Sequence, residues 1–92
     1  MKRFKDYEIA YNKCYELFQK LMVLVKEADG YITIEIKFTY PDRYPKLSVT
    51  YYGNYLYSFL PQEDGRFVIS IDDKVYTMDE IEAKIRKNCY LD

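Results

Sequence analysis

The stretch Tyr51-Tyr52-Gly53-Asn54-Tyr55-Leu56-Tyr57-Ser58-Phe59-Leu60 decides how this chain folds. Gly53-Asn54 is a two-residue hairpin signal between two β-rich runs. A strict turn there pairs Tyr52 with Tyr55 and Tyr51 with Leu56. Leu47, Val49, Tyr51, Leu56 and Leu60 then share one face, and Tyr52, Tyr55, Tyr57 and Phe59 occupy the other. A bulge at the turn reverses the third strand, because side chains alternate with a period of two. Tyr55, Tyr57 and Phe59 then join the core, and Leu56 and Leu60 face out. In either register this strand lacks a polar face, so large apolar groups are left over.

Working outward, the flanking runs are simpler. Ile32, Ile34, Ile36, Phe38 and Tyr40 alternate with Thr33, Glu35, Lys37 and Thr39, which is the pattern of a half-buried strand. Pro41-Asp42-Arg43-Tyr44-Pro45 is a turn, followed by a second strand over 47–52. Tyr55 to Leu60 is the third strand. Phe67, Ile69 and Ile71 alternate with Arg66, Val68 and Ser70 in a fourth. Asp72-Asp73-Lys74 is a further turn. Thr77-Met78-Asp79-Glu80 is a capping box that opens a short final helix with Met78, Ile81, Ile85 and Cys89 on its stripe.

At the front, Phe4, Tyr7, Tyr11, Cys14, Phe18, Leu21, Val25 and Ala28 recur at steps of three and four, one stripe of a helix. Ala10, Leu17 and Leu24 widen it on one side, Tyr15 and Met22 on the other. Asp29-Gly30 ends it. Such a helix over 4–28 is about 38 Å long, longer than the roughly 30 Å expected for a domain of this size. It must therefore be kinked, be shorter than the pattern, or project. The expected fold is α+β in two layers: a long N-terminal helix, an antiparallel three- to four-stranded meander and a short C-terminal helix, in a single domain over 1–92.

Composition narrows the chemistry. Lys plus Arg is 14 and Asp plus Glu is 15, for a net charge of −1, without the basic field that a nucleic-acid backbone binder needs. The chain has no histidine, which removes His-based nucleophile systems and nearly all zinc enzymes. The glycines, Gly30, Gly53 and Gly65, are isolated turn residues and form no phosphate loop. Glu35-Ile36-Lys37 matches the E-x-K part of restriction-type nucleases, but Pro41-Asp42 follows it where that family places it before. Asp72, Asp73, Asp79 and Glu80 surround a helix start, where carboxylates favour the helix dipole. Cys14 and Cys89 are expected to be buried thiols, with a disulfide between the helices as the alternative. The basic start, Met1-Lys2-Arg3, leads into no apolar run, so neither a signal peptide nor a membrane span is expected, and the chain reads as cytoplasmic.

The order of elements is similar to the double-stranded RNA-binding domain. That family grips phosphates with lysines at the start of its last helix. The matching position here, Thr77-Met78-Asp79-Glu80, is acidic, and nucleic acid is not an expected partner.

Twelve tyrosines against five phenylalanines and no tryptophan leave rings that tolerate both burial and water. The expected function is therefore a small non-enzymatic protein-binding module. Its surface is Tyr52, Tyr55, Tyr57 and Phe59, flanked by the acidic C-terminal third. No catalytic residue, metal or cofactor is expected. A short, Tyr- and Lys-rich domain of this kind looks like accessory proteins of phages, archaeal viruses or mobile elements, among them anti-CRISPR and immunity proteins, which implies a host factor as partner. The alternative is a structural homodimer or assembly subunit that uses the long helix or the third strand. A small enzyme with tyrosine and carboxylate chemistry is the weakest of the three.

Overall fold

The computed structural model describes residues 2–91. Helix α1 (Tyr7–Glu27) is followed by strands β1 (Ile32–Phe38), β2 (Pro45–Tyr51), β3 (Asn54–Pro61), β4 (Phe67–Ile69) and β5 (Val75–Tyr76), and then by α2 (Met78–Asn88). The strands form one antiparallel sheet in the order β1-β2-β3-β4-β5. The fold is thus α+β, with the sheet a strand longer than the meander read from sequence. The two-residue β5 falls where the alternation is too short to register; it pairs Val75 with Val68 and Tyr76 with Phe67.

The turn that the hairpin depends on lies one residue earlier than Gly53-Asn54. Tyr51 pairs with Asn54, so Tyr52 and Gly53 form the loop. Their φ angles are 51° and 77°, the left-handed pair of a type I′ turn. Thr50 then pairs with Tyr55, but Val49 pairs with Tyr57, so Leu56 is the extra residue of a bulge. Tyr57 and Phe59 thereby join Leu47 and Val49 beneath the helices, as the bulged register requires. Tyr55 does not follow them, because the bulge lies after it. Leu56 packs partly against the core, and Leu60 is buried in a second cluster with Ala10 and Tyr44.

α1 is shorter than its apolar stripe. Asp6 caps it, accepting from the Glu8 and Ile9 N–H groups at 2.9 and 3.4 Å. Its 21 residues span about 31 Å, within the 36 Å long axis of the molecule. Phe4 lies outside the helix, in an N-terminal segment that runs beside the sheet. The Glu63 N–H donates to the Lys2 carbonyl at 3.0 Å, and Arg3 bridges to Gln62. The buried side of α1 is Ala10, Cys14, Leu17, Leu21 and Leu24. That line is rotated from the sequence stripe toward its Leu17 flank, and it leaves Tyr7, Tyr11 and Tyr15 at the margin.

α2 opens with the expected capping box, Thr77 and Glu80 each bonding the other's backbone. Ile81, Ile85 and Cys89 pack into the main core with Leu17, Leu21, Phe59 and Phe67. Arg86 ties the helices together through Glu27 at 2.8 Å.

Tyr44 pins the N-terminal segment. Its ring is fully buried, meets Tyr7 edge-on at 5.3 Å and lies under the Arg3 guanidinium at 4.7 Å. Its hydroxyl donates to the Pro61 carbonyl at 2.5 Å and accepts from the Phe4 N–H at 3.0 Å. Removing that hydroxyl leaves a buried donor and acceptor unpaired. Tyr44→Phe is expected to lower stability by about 1–2 kcal/mol, read as the shift of a urea unfolding curve. An unchanged curve would mean that water replaces the hydroxyl.

Candidate functional site

The four residues singled out by sequence do not form one surface. Phe59 is fully buried and packs against Tyr57 at 5.7 Å. Tyr57 is half-buried: its hydroxyl accepts from the Asn88 amide, and the Lys84 ammonium lies 5.4 Å from its ring. The bulge at Leu56 turns both rings toward the helices. Tyr52 and Tyr55 do reach the surface, at 67% and 54% exposure. Tyr52 stacks on Tyr31 at 5.0 Å and meets Tyr51 edge-on at 4.8 Å, a cap of rings over the hairpin end. Tyr55 lies on the outer face beside Thr50, whose hydroxyl bonds that of Thr33.

The more concentrated surface lies at the other side of the sheet. Among the described residues, β1 has a strand neighbour on one side only. Beside it, Tyr11, Tyr15 and Phe18 of α1 and Ile34, Glu35 and Ile36 of β1 line a groove of about 350 Å³. Tyr11 stacks on Phe38 at 6.3 Å and Tyr15 on Phe18 at 6.2 Å, each pair within 10° of parallel. Tyr11, Tyr15 and Phe38 each keep 40–52% of their surface open to solvent. Two sequence signals bear on this place. A helix stripe wider than one sheet face leaves residues at its rim, and a simple meander leaves its first strand at an edge.

Strand parity determines what that edge offers. The Tyr31 carbonyl accepts from the Tyr52 N–H at 2.7 Å, and the Thr39 N–H donates to the Tyr44 carbonyl at 2.8 Å. Both bonds are in the same register as the β1–β2 ladder. Odd-numbered residues of β1 therefore turn their backbone groups toward β2, and Ile32, Ile34, Ile36 and Phe38 turn theirs toward the open side. The same four residues carry their side chains on the helix-covered face. On the opposite face Glu35 and Lys37 lie 3.5 Å apart.

The polar chemistry elsewhere is committed to structure. Asp79 pairs with Lys20 at 2.7 Å, Glu80 closes the capping box and Asp72 accepts from the Lys74 N–H at 3.0 Å. Asp42 accepts from Thr39 and pairs with Arg3, which holds its carboxyl below the usual range. Among the described residues, no three His, Cys, Asp or Glu side chains are grouped so as to hold a metal ion. No helix among them is long and apolar enough to cross a membrane. A second cavity, of about 360 Å³, is bounded by Arg3, Gln62, Val68 and Asp73. The Gln62 amide there is spent on the Leu60 and Pro61 carbonyls.

Cys14 and Cys89 are both free and buried. Burial pushes the Cys14 thiol up to about 12, well above the ordinary cysteine range, and raises Cys89 as well. The thiolate is thus disfavoured in the folded state, while the unfolded chain ionises freely. Stability from this group is complete below about pH 9 and is lost as pH rises through the window up to about 12. Wild type is expected to lose up to about 1 kcal/mol per pH unit more than Cys14→Ala across that window, measured by urea unfolding at successive pH values. Parallel curves would show that Cys14 ionises as easily folded as unfolded.

No protein-family model, curated protein or solved structure matches the chain. The functional reading accordingly rests on the surfaces described above.

Proposed function

We propose that this protein is a non-enzymatic binding module that engages another polypeptide by strand addition along β1. The observation that carries the reading is the coincidence, on one side of the molecule, of a seven-residue strand with one neighbour and an aromatic-lined groove. Strand addition takes affinity from main-chain hydrogen bonds and specificity from pockets for alternate side chains. β1 supplies the first through Ile32, Ile34, Ile36 and Phe38. The groove beside Tyr11 and Tyr15 supplies the second. An accessory protein that inhibits a host factor would use the same edge, with a strand or an extended loop of that factor as ligand. The binding surface proposed here is therefore the β1 margin, with Tyr52 and Tyr55 outside it.

Amide hydrogen exchange, read residue by residue, tests the proposal. The backbone amides of Ile32, Ile34, Ile36 and Phe38 are expected to exchange quickly in dilute protein. They should become protected when short peptides of alternating apolar and charged residues are added, or when the protein is concentrated. Ile36→Pro deletes an outward donor without touching the β1–β2 ladder, so it should abolish the protection and keep the fold. Tyr55→Ser should change neither. Exchange at these four amides that never responds to any addition, or protection that centres on Tyr52 and Tyr55, rejects the reading.

A further inference from the structure

Resting on the strand-addition reading, the geometry points to one occupant of the open edge: β1 of a second copy of this chain, antiparallel, with Ile36 opposite Ile36 of the second copy. Strand parity limits the choices. Only Ile32, Ile34, Ile36 and Phe38 turn backbone groups outward, so an antiparallel partner must set even-numbered residues opposite even-numbered ones. Of the registers this allows, the longest sets Ile32 opposite Phe38 and thereby forces Glu35 against Glu35 of the second copy. The register that sets Ile36 opposite Phe38 forces Lys37 against Lys37. The register centred on Ile34 sets Glu35 against Thr33 and leaves Lys37 without an acid.

Centring on Ile36 sets Glu35 opposite Lys37 of the second copy, and Lys37 opposite its Glu35. These are the non-hydrogen-bonded positions, where cross-strand side chains come closest and opposite charges are favourable.

The existing sheet reinforces this choice. Lys37 already stands directly across from Lys46, and Glu35 stands across from Ser48. The lysine therefore has a like charge on its covered side, and the glutamate has no cation across from it in β2. Within one copy Glu35 and Lys37 pair with each other at 3.5 Å; an acid from a second copy offsets the approach of Lys37 to Lys46, and a base gives Glu35 a second cation. On the helix-covered face the same register sets Ile34 beside Phe38 of the second copy and Ile36 beside itself, which continues the apolar row. The two α1 helices then lie on one face of a continuous sheet, with the half-exposed rings of Tyr11 and Tyr15 from each copy at the junction. The far edge offers no equivalent, since β5 is two residues long.

Sedimentation over a range of concentrations tests this, with charge reversals at positions that are exposed and make no core contact. The wild-type chain is expected to dimerise, and E35K and K37E are each expected to weaken dimerisation about tenfold or more. Mixed together, the two single variants restore Glu–Lys pairing across the junction and should associate as tightly as wild type. The double variant E35K/K37E should do the same alone. Rescue by mixing cannot come from a folding defect in either variant. A chain that stays monomeric at every concentration overturns the proposal, as do single reversals that leave the dimer intact. In the monomeric case, protection of the β1 amides by added peptides would show that strand addition survives without self-pairing.

Discussion

The arrangement hangs on a single inserted residue. β3 reads Asn54-Tyr55-Leu56-Tyr57-Ser58-Phe59-Leu60-Pro61 and has no polar face to give to water. Without the bulge at Leu56, the type I′ turn at Tyr52-Gly53 would keep Tyr57 and Phe59 on the same face as Tyr55. The bulge lets Tyr55 stay outside, then returns Tyr57 and Phe59 to the helix side and sets Ser58 against Ser48 on the outer face, hydroxyl to hydroxyl at 3.1 Å. Phe59 in turn belongs to the same buried cluster as Leu17 and Leu21 of α1 and Ile81 and Ile85 of α2. One extra residue thus determines what the helices pack against. The cost of a nonglycine residue at positive φ, Tyr52, is set against the stacking of its ring on Tyr31.

Where α1 sits follows from that core. The helix buries the line Ala10, Cys14, Leu17, Leu21 and Leu24 over β1, β2 and β3, and its wider apolar surface cannot all fit between helix and sheet. Tyr7 finds Tyr44. Tyr11 and Tyr15 are carried instead toward β1, where the sheet ends. The groove is therefore the place where a stripe wider than its platform meets a platform that lacks a next strand. Natural sheets blunt such edges with proline, bulges or charged side chains. Ile32–Phe38 has no proline and an unbroken ladder to β2, and its charges are one acid and one base, Glu35 and Lys37.

Much of the fold was legible in the sequence because two periodicities are strong. The alternation from Ile32 to Phe38 and the three-four stepping of the first helix need no tertiary context, and the Thr77/Glu80 capping box is local chemistry. The turn lies one residue earlier than composition suggests, because Gly53-Asn54 has the composition of a hairpin loop, whereas the type I′ geometry here uses Gly53 with Tyr52 before it. β5 escaped because two residues carry no period. The site was less legible for the same physical reason. Whether Phe59 faces water depends on a bulge that no local signal marks, and the groove beside Tyr11 depends on which of several apolar lines α1 turns inward. Both are decided by packing between distant segments, so they appear only once helix and sheet are placed together.

The contrast between the two exposed tyrosine regions supports the edge as the functional surface. Tyr52 is already stacked on Tyr31, and Tyr55 stands among Thr33 and Thr50, whose hydroxyls are bonded to each other. A ligand there would meet rings whose neighbours are satisfied. At the β1 margin the rings are stacked as well, Tyr11 on Phe38 and Tyr15 on Phe18; the difference is that they stand beside a row of main-chain donors and acceptors with no strand partner among the described residues. Exposed aromatic area alone gives adhesion without direction. Combined with an ordered row of hydrogen-bonding groups, it defines both a line and a register. In a chain whose carboxylates are largely occupied by caps and ion pairs and whose thiols are buried, that row is what the proposed binding rests on.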